Sequence, residues 1–282
     1  MTGPDGSRGG PRGPAPGPPP TTRGHLTPGP RATVVRLPAP DDVAHLVRQL
    51  WIPEWDLPAG ERVEQLVLGY PASNVVVEPA GVALHGPTTR ASTRVLTGRG
   101  WAVGALLRPA GVLLFTDRPA ELLDRSAPLD VPGLLREVTR TMESTAPELR
   151  HERAARLLLD HVRGLAAAVP PEAARDGAVA NRMVDLVESG AGLRAPGDLA
   201  RELHVSERTL QRLAARFVGM PPQLLLRRRR LQEAAERVRA DPAADLGALA
   251  ADLGFADQAH LTREFRSVLG ATPRGYGRAQ RG

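Results

Sequence analysis

An internal repeat near the C-terminus of the 282-residue chain constrains the fold more than any other sequence feature. The two copies run over residues 199–222 and 249–273, and the offset between them is 50 residues before an internal turn and 51 after it. Matching pairs are Leu199 and Leu249, Ala200 and Ala250, Leu203 and Leu253, His204 and Gly254, Val205 and Phe255, Leu210 and Leu261, Gly219 and Gly270, and Pro222 and Pro273. Each copy reads as a short helix, a tight turn, and a second helix that stops at Gly with Pro close behind. This is the helix-turn-helix plan, in which the second helix enters the major groove of DNA.

The residues at each turn agree with this plan. Gly254 lies where the chain of the second copy must reverse, and Gly adopts a positive φ without steric cost. His204 lies at the same place in the first copy, and His is one of the residues enriched in left-handed conformations. Ser206 and Asp257 are predicted to be the N-caps of the second helices, because their side-chain oxygens can accept hydrogen bonds from free backbone N–H groups.

The second helix of each copy has one inward and one outward face. In the first copy Thr209, Leu210, Leu213 and Phe217 are expected inward, and Arg208, Gln211, Arg212 and Arg216 outward. In the second copy Leu261 and Phe265 are expected inward, and Gln258, His260, Thr262 and Arg263 outward. Arg and Gln bind the edges of guanine and adenine with paired hydrogen bonds. A single row of outward Arg is more often only a solvated surface, but two such helices in register favour DNA recognition.

One helix, Pro222–Ala240, is predicted between the copies, because Pro222 opens the segment and Asp241-Pro242 ends it. Its predicted length is about 27 Å at the usual helical rise. One turn of B-DNA spans roughly 34 Å, so two recognition helices joined in this way could reach successive major grooves. The run Arg227–Arg230 in this helix is expected to contact phosphates, with a merely solvated basic turn as the alternative.

Residues from about 178 to 280 resemble the paired helix-turn-helix domain of the bacterial AraC/XylS transcription regulators. The resemblance rests on the motifs Arg230-Leu231-x-x-Ala234, Leu249-Ala250-x-x-Leu253-Gly254-Phe255-x-Asp257-Gln258, Leu261-x-Arg263-x-Phe265-Arg266 and Gly270-x-Thr272-Pro273. It implies base-reading roles for Arg208, Thr209, Gln211, Arg212, Gln258, His260, Thr262 and Arg263. The residues expected at phosphates are Arg216, Arg227, Arg228, Arg229, Arg230 and Arg266. The chain departs from the family pattern at Ala214, where an aromatic is usual, and at His204, where Gly is usual; Phe217 is a candidate to refill the core volume at Ala214.

The preceding residues predict an α+β chain with a small N-terminal β-barrel or sandwich. The expected domains are a disordered Pro/Gly/Arg tail (1–32), a β-rich sensor domain (33–143), a helical linker (144–177) and the DNA-binding domain (178–282). The expected strands are 51–57, 62–68, 74–78, 82–85, 94–96, 101–107 and 112–116. The expected helices are 41–50, 119–124, 131–142 and 147–168. An apolar stripe on the last helix could pack on the sheet or pair with a second copy in a homodimer.

A weaker resemblance links the N-terminal half to the cupin-like sensor half of one AraC subgroup. Its motifs are Leu50-Trp51, Val76-x-x-Pro79, His85-Gly86-Pro87 and Gly104-x-x-x-x-Pro109. The resemblance implies an N-terminal domain that controls the DNA-binding half in response to a small-molecule effector, whose identity does not carry over.

Composition narrows the function classes further. All 37 basic residues are Arg, and the net charge of +6 suits an anionic partner. With 0 Cys there is no thiolate metal site and no Cys nucleophile. His45 and His85 lack the paired His pattern of a metal-binding cupin, so we expect no metal or other cofactor. Trp51, Trp55 and Trp101 are expected in the core, with an apolar pocket as the alternative.

The sequence offers no arrangement of residues that suggests catalysis, and no apolar run long enough for a bilayer. We therefore expect a cytoplasmic, nucleoid-associated regulator that is not an enzyme and that binds double-stranded promoter DNA. RNA polymerase and a second copy of the chain are further candidate partners. The alternative is a non-specific architectural DNA-binding protein without a ligand.

Overall fold

The computed structural model describes residues 32–67, 71–90, 92–144, 146–190 and 192–279. Apart from Ala32, the predicted disordered tail lies outside these residues. An antiparallel sheet comes first along the chain, and helices make up the rest. The α+β prediction, with a β-rich N-terminal part and an all-helical C-terminal part, is therefore confirmed.

The sheet part contains nine strands among the described residues. They are β1 (Ala32–Pro38), β2 (Val47–Asp56), β3 (Arg62–Val67), β4 (Asn74–Glu78), β5 (Gly81–His85), β6 (Ser92–Thr97), β7 (Arg99–Trp101), β8 (Val103–Leu107) and β9 (Ser126–Pro128). The main sheet has the order β1-β2-β8-β4-β5-β9, with β7 also paired to β2, and β3 and β6 form a separate pair. Because β1 and β9 end this order, the described strands form an open sheet and no closed barrel.

Two sequence predictions in this part are wrong. The segment 41–50 forms turns as far as Leu46 and then enters β2, whose Leu50 pairs with Leu37 on one side and Ala105 on the other. Pairing on both sides satisfies the backbone as a helix would, so tertiary contacts override the helical pattern. The segment 112–116, expected as a strand, instead begins with the last residue of the short helix α1 (Pro109–Val112) and continues as hydrogen-bonded turns.

The three tryptophans occupy two faces of the sheet. Trp101 belongs to the main core, as expected. Trp51 lies against Gly104, where an added Cβ would come within 2.2 Å of the indole ring. Trp55 covers Gly100 in the same way, at 2.3 Å. The two half-buried rings therefore pack on backbone that only Gly leaves accessible, and they are held by the hydrogen bonds that their indole N–H groups donate to Asn74 and to the Thr97 carbonyl.

A 3₁₀ turn at Pro119–Leu122 and two helices, α2 (Pro132–Ser144) and α3 (Pro147–Ala166), complete the N-terminal core. The apolar stripe of α3 packs on the N-terminal core, where Leu158 and Val162 are fully buried. Packing on the sheet, one of the two uses considered for this stripe, is therefore observed.

The remaining helices form two successive modules. They are α4 (Pro171–Ser189), α5 (Pro196–Glu202), α6 (Glu207–Phe217), α7 (Pro222–Ala240), α8 (Leu246–Asp252), α9 (Gln258–Leu269) and α10 (Pro273–Ala279). Helix α7, with the predicted bounds, serves both modules. Its first half places Leu225 and Leu226 in the core with α4, α5 and α6, and its second half places Leu231 and Val238 in the core with α8, α9 and α10.

The N-terminal part packs directly against the first module through α4. Asn181 is buried; its side-chain oxygen accepts from the Ala110 N–H at 3.0 Å, and its amide donates to the His45 carbonyl at 2.7 Å. Leu113, at the end of α1, packs against the buried cluster that contains Phe217. Helix α4 therefore connects the sheet part to the first helix-turn-helix module by both polar and apolar contacts.

Candidate nucleic-acid interface

Both turns have the geometry that the repeat predicts. His204 has φ +54° and Gly254 has φ +71°, so the two matching positions are left-handed in both copies. In each turn the residue that follows donates its N–H to the matching alanine carbonyl: Val205 to Ala200 at 3.0 Å, and Phe255 to Ala250 at 2.8 Å. The first copy therefore makes the same turn as the second without Gly, at the cost of a strained non-Gly residue.

The second helix of each module is capped as predicted. The Thr209 N–H donates to the Ser206 hydroxyl at 3.1 Å at the start of α6. The His260 N–H donates to the Asp257 carboxylate at 2.6 Å at the start of α9. These caps fix where the two candidate recognition helices begin, and therefore which side chains lie in their first turns.

Helix α6 separates its faces sharply. Its buried residues are Leu210, Leu213, Ala214 and Phe217. Its exposed polar residues are Glu207, Arg208, Gln211, Arg212 and Arg216. Ala214 is small where the family has an aromatic, and Phe217 lies in a separate cluster with Ala180 and Leu213, against Leu113 of the N-terminal part. Phe217 thus fills space beside α4.

Helix α9 also presents a polar face over an apolar one. Leu261, Phe265 and Leu269 are buried. Gln258, Arg263 and Arg266 are exposed, and His260 and Thr262 are half-buried. The second helix of each module therefore exposes side chains able to bind base edges or phosphates. Of these, Arg212 and Arg263 hold corresponding positions in the two copies.

Besides Arg212, which is described below, two of the expected base-reading side chains already have partners within their own module. The Thr209 hydroxyl lies 3.0 Å from the Ser206 hydroxyl of the cap. The His260 ring accepts the Ala256 N–H at 3.3 Å on Nδ1 and meets the Phe255 ring edge-on, with 5.6 Å between the centroids. Both side chains stabilise the turn in this structure, so any contact with a base would have to share or replace these interactions.

The arginines of the basic run in α7 contact other residues of the protein. Arg227 forms an ion pair with Glu264 of α9. Arg229 lies near Glu236, and its side chain is only 17% exposed. Arg230 donates to the Leu253 and Gly254 carbonyls at 3.4 and 3.2 Å and stacks over Phe255, and burial lowers its pKa. The solvated-turn alternative does not describe this run, because Arg227 and Arg230 join α7 to the second module and the other two arginines are largely buried.

Arg228 does not have the accessibility that a phosphate contact needs. It is 3% exposed, and its guanidinium donates to the carbonyl of Thr88 in the N-terminal part. Burial lowers the pKa of Arg228 to about 10, an effect that the nearby Asp124 carboxylate opposes. The expectation of a phosphate contact at this position is wrong for the structure described, because the side chain points into the contact between the two parts of the chain.

Asp176 is a residue that sequence reasoning missed. It lies in α4, and its carboxylate accepts from Arg212 at 3.0 Å and from Arg216 at 3.4 Å. No local motif marks it, because it lies 36 and 40 residues before its partners. The only sequence signal is an acidic residue in the helix that precedes the first copy.

The described residues hold no group of three or more His, Cys, Asp or Glu side chains that could bind a metal ion. His85 lies near Glu78 and Arg94, and burial lowers its pKa. Among the described residues, none of the helices is both long and apolar enough to cross a membrane.

Comparison with protein families finds two matching models. The model of a helix-turn-helix domain matches residues 199–279, which cover both copies of the repeat. The model of a domain of unknown function, DUF6597, matches residues 35–128, which run from within β1 to the end of β9. No curated protein sequence matches the chain.

Among solved structures, ToxT from Vibrio cholerae O395 is 13% identical, with a TM-score of 0.39 over 89% of this chain and 98% of ToxT. A fatty-acid-bound ToxT from strain SCE256 of the same organism is 14% identical, with a TM-score of 0.37 over 86% of this chain and 92% of that one. The AraC-like transcriptional activator CuxR is 18% identical, with a TM-score of 0.22 over 73% and 87%. These values are too low to carry structural or functional detail over to this chain.

Proposed function

We propose that this chain recognises a specific promoter sequence through α6 and α9. The proposal starts from its C-terminal helix-turn-helix domain of the AraC type, which makes the chain a DNA-binding transcriptional regulator. The observation that carries this proposal is the pairing of two capped helices, each with a buried apolar face and an exposed face of Arg and Gln. Base edges in two major grooves are the targets that such a pair fits.

Base contacts are assigned first to the exposed side chains of the two helices. Arg212 and Arg263 hold corresponding positions in α6 and α9, and both are exposed. Arg208, Gln211 and Gln258 are the further exposed side chains able to donate to base edges. Arg216 and Arg266 lie nearer the ends of their helices, where contact with the phosphate backbone is the natural role.

The N-terminal part is proposed to regulate DNA binding in response to an effector. Support comes from its contacts with the first module: Asn181 connects α4 to the sheet part, and Leu113 packs against the cluster of Phe217 on α6. A change in the N-terminal part would therefore reach α6 through packed side chains, without a flexible linker between them. The protein would act on promoters in the nucleoid, and so in the cytoplasm.

In-vitro selection from random duplex DNA with the full chain, at near-physiological salt, tests this function. The proposal predicts one motif with two half-elements about one helical turn apart, roughly 10 base pairs. A motif with one half-element would contradict base reading by both helices. Recovery of no motif, with tight binding to all duplexes, would overturn the proposal in favour of a non-specific architectural protein.

A further inference from the structure

The carboxylate of Asp176 connects α4 to two arginines of the first candidate recognition helix. Its Oδ2 atom accepts from Arg212 at 3.0 Å and from Arg216 at 3.4 Å. The Asp176 side chain is 24% exposed, whereas those of Arg212 and Arg216 are 53% and 43% exposed. The carboxylate therefore lies partly sheltered behind two guanidinium groups whose outer sides stay open to solvent.

The two arginines belong to different classes of expected DNA contact. Arg212 is assigned to a base edge and Arg216 to a phosphate. An exposed ion pair contributes little to the stability of the fold, but this pair competes with DNA for the same guanidinium groups. A phosphate offers a negative charge anywhere along the duplex, whereas a base edge offers its acceptors only in the right sequence.

A carboxylate beside Arg212 and Arg216 affects binding to random DNA and binding to the cognate site differently. It offsets part of the positive charge of Arg212 and Arg216 and repels a nearby phosphate, which weakens binding to every duplex. It also fixes the direction of the Arg212 side chain, which lowers the entropy cost of paired hydrogen bonds to a base. Binding to random DNA is therefore penalised more than binding to the cognate site.

The second module has the reverse arrangement. There the basic residue, Arg227, is on the preceding long helix α7, and the acidic residue, Glu264, is on α9. The two carboxylates of α7, Glu233 and Glu236, pair with Arg237 and Arg229 of the same helix. Among the described residues, no ion pair joins either of them to Arg263 or Arg266 of α9. The pairing of an α4 carboxylate with arginines of the candidate recognition helix therefore belongs to the first module.

We propose that Asp176 is a specificity-determining residue: it positions Arg212 and restrains Arg212 and Arg216 from indiscriminate phosphate binding. This inference rests on the proposed function. Asp176 acts through the two arginines and contacts no DNA itself, so its role is a positioning role.

The test compares Asp176→Asn with Asp185→Asn in the full chain. Asp185 is the matched control, because it lies on the same helix and also pairs with two arginines, Arg48 and Arg108, which belong to the N-terminal part. Both variants change the net charge by the same amount. Fluorescence anisotropy with a selected duplex and a random duplex, over a series of salt concentrations, gives the affinities and the salt slopes.

We expect Asp176→Asn to raise the affinity for random DNA about two- to fivefold. The slope of log affinity against log salt should steepen by about 0.9, as for one additional neutralised phosphate. Affinity for the selected duplex should rise less, so the ratio of cognate to random affinity falls. Asp185→Asn should change both affinities by one common factor and leave this ratio as it is.

Equal ratios for the two variants would overturn the inference. A second pair of measurements separates this effect from misfolding and uses a chain that carries both Arg212→Gln and Arg216→Gln. In that chain, Asp176→Asn should no longer raise the affinity for random DNA relative to Asp185→Asn. A rise that persists there would also overturn it. If the wild-type chain showed no sequence preference, the proposed function would be wrong. The salt slopes of the wild-type chain and of Asp176→Asn on random DNA would still test the effect of the Asp176 carboxylate.

Discussion

Truncation of Phe217 tests whether the N-terminal part completes the core of the first module. Phe217 is 0% exposed at the end of α6, and Leu113 of the N-terminal part packs against its cluster. Gly177 of α4 lies so close that an added Cβ would be 3.3 Å from the Phe217 ring. The ring is therefore enclosed by α4, α6 and α1, and Phe217→Ala would leave a cavity between the two parts of the chain.

The magnitude follows from the buried area. A buried Phe removes about 150–250 Å² from water, which at about 25 cal/mol per Å² amounts to roughly 4–6 kcal/mol for the whole side chain. Since Ala retains one methyl group and the neighbours relax in part, the expected loss in free energy of unfolding is about 3–5 kcal/mol.

Urea unfolding of the full chain, followed by circular dichroism, measures this loss. Phe265→Ala is the control, because Phe265 is equally buried but packs only within the core of the second module. Combining each change with Leu113→Ala gives two double-mutant cycles. The cycle with Phe217 should show a coupling of about 0.5–3 kcal/mol, and the cycle with Phe265 should show none beyond about 0.5 kcal/mol. A loss below about 1 kcal/mol for Phe217→Ala, or equal couplings in both cycles, would refute this reasoning.

Four further substitutions probe the site and its turns. Arg266→Ala should make the salt slope of DNA binding shallower by about 0.9, whereas Arg228→Ala should leave the slope unchanged because its guanidinium is buried; equal slope changes would contradict this distinction. His204→Gly should raise the free energy of unfolding by about 0.5–1 kcal/mol, because Gly relieves the left-handed strain. A melting temperature below that of the wild-type chain would contradict this expectation. Asp257→Ala should cost about 1 kcal/mol through loss of the α9 cap, and undiminished hydrogen-exchange protection of the His260 amide would contradict that role.

The helix-turn-helix modules could be predicted from sequence because their determinants are local. Turn residues such as His204 and Gly254, and caps such as Ser206 and Asp257, act over a few residues, so their chemistry is visible in the sequence. The bounds of α7 were predictable for the same reason, since Pro222 opens the helix and Asp241-Pro242 ends it.

The failures concern contacts that are distant in the chain. The segment 41–50 buries Val43, Leu46 and Leu50, as a helix would, but its second half pairs with β1 and β8 in the sheet. Strand β1 itself was missed, because it directly follows a Pro/Gly-rich tail and its partners come later in the chain. The burial of Arg228 was equally hidden, since it depends on Thr88, which lies 140 residues earlier.

The central claim, that both candidate recognition helices read bases, is tested most directly by Arg212→Ala and Arg263→Ala in the full chain. Binding to the selected motif, to motifs altered at each half-element, and to random duplexes would be measured at one salt concentration. Each variant should lose about 1–3 kcal/mol on the selected motif, a factor of roughly 5 to 150, and should lose sequence preference at a different half-element. Equal weakening on selected and random DNA, for either variant, would contradict base reading by that helix.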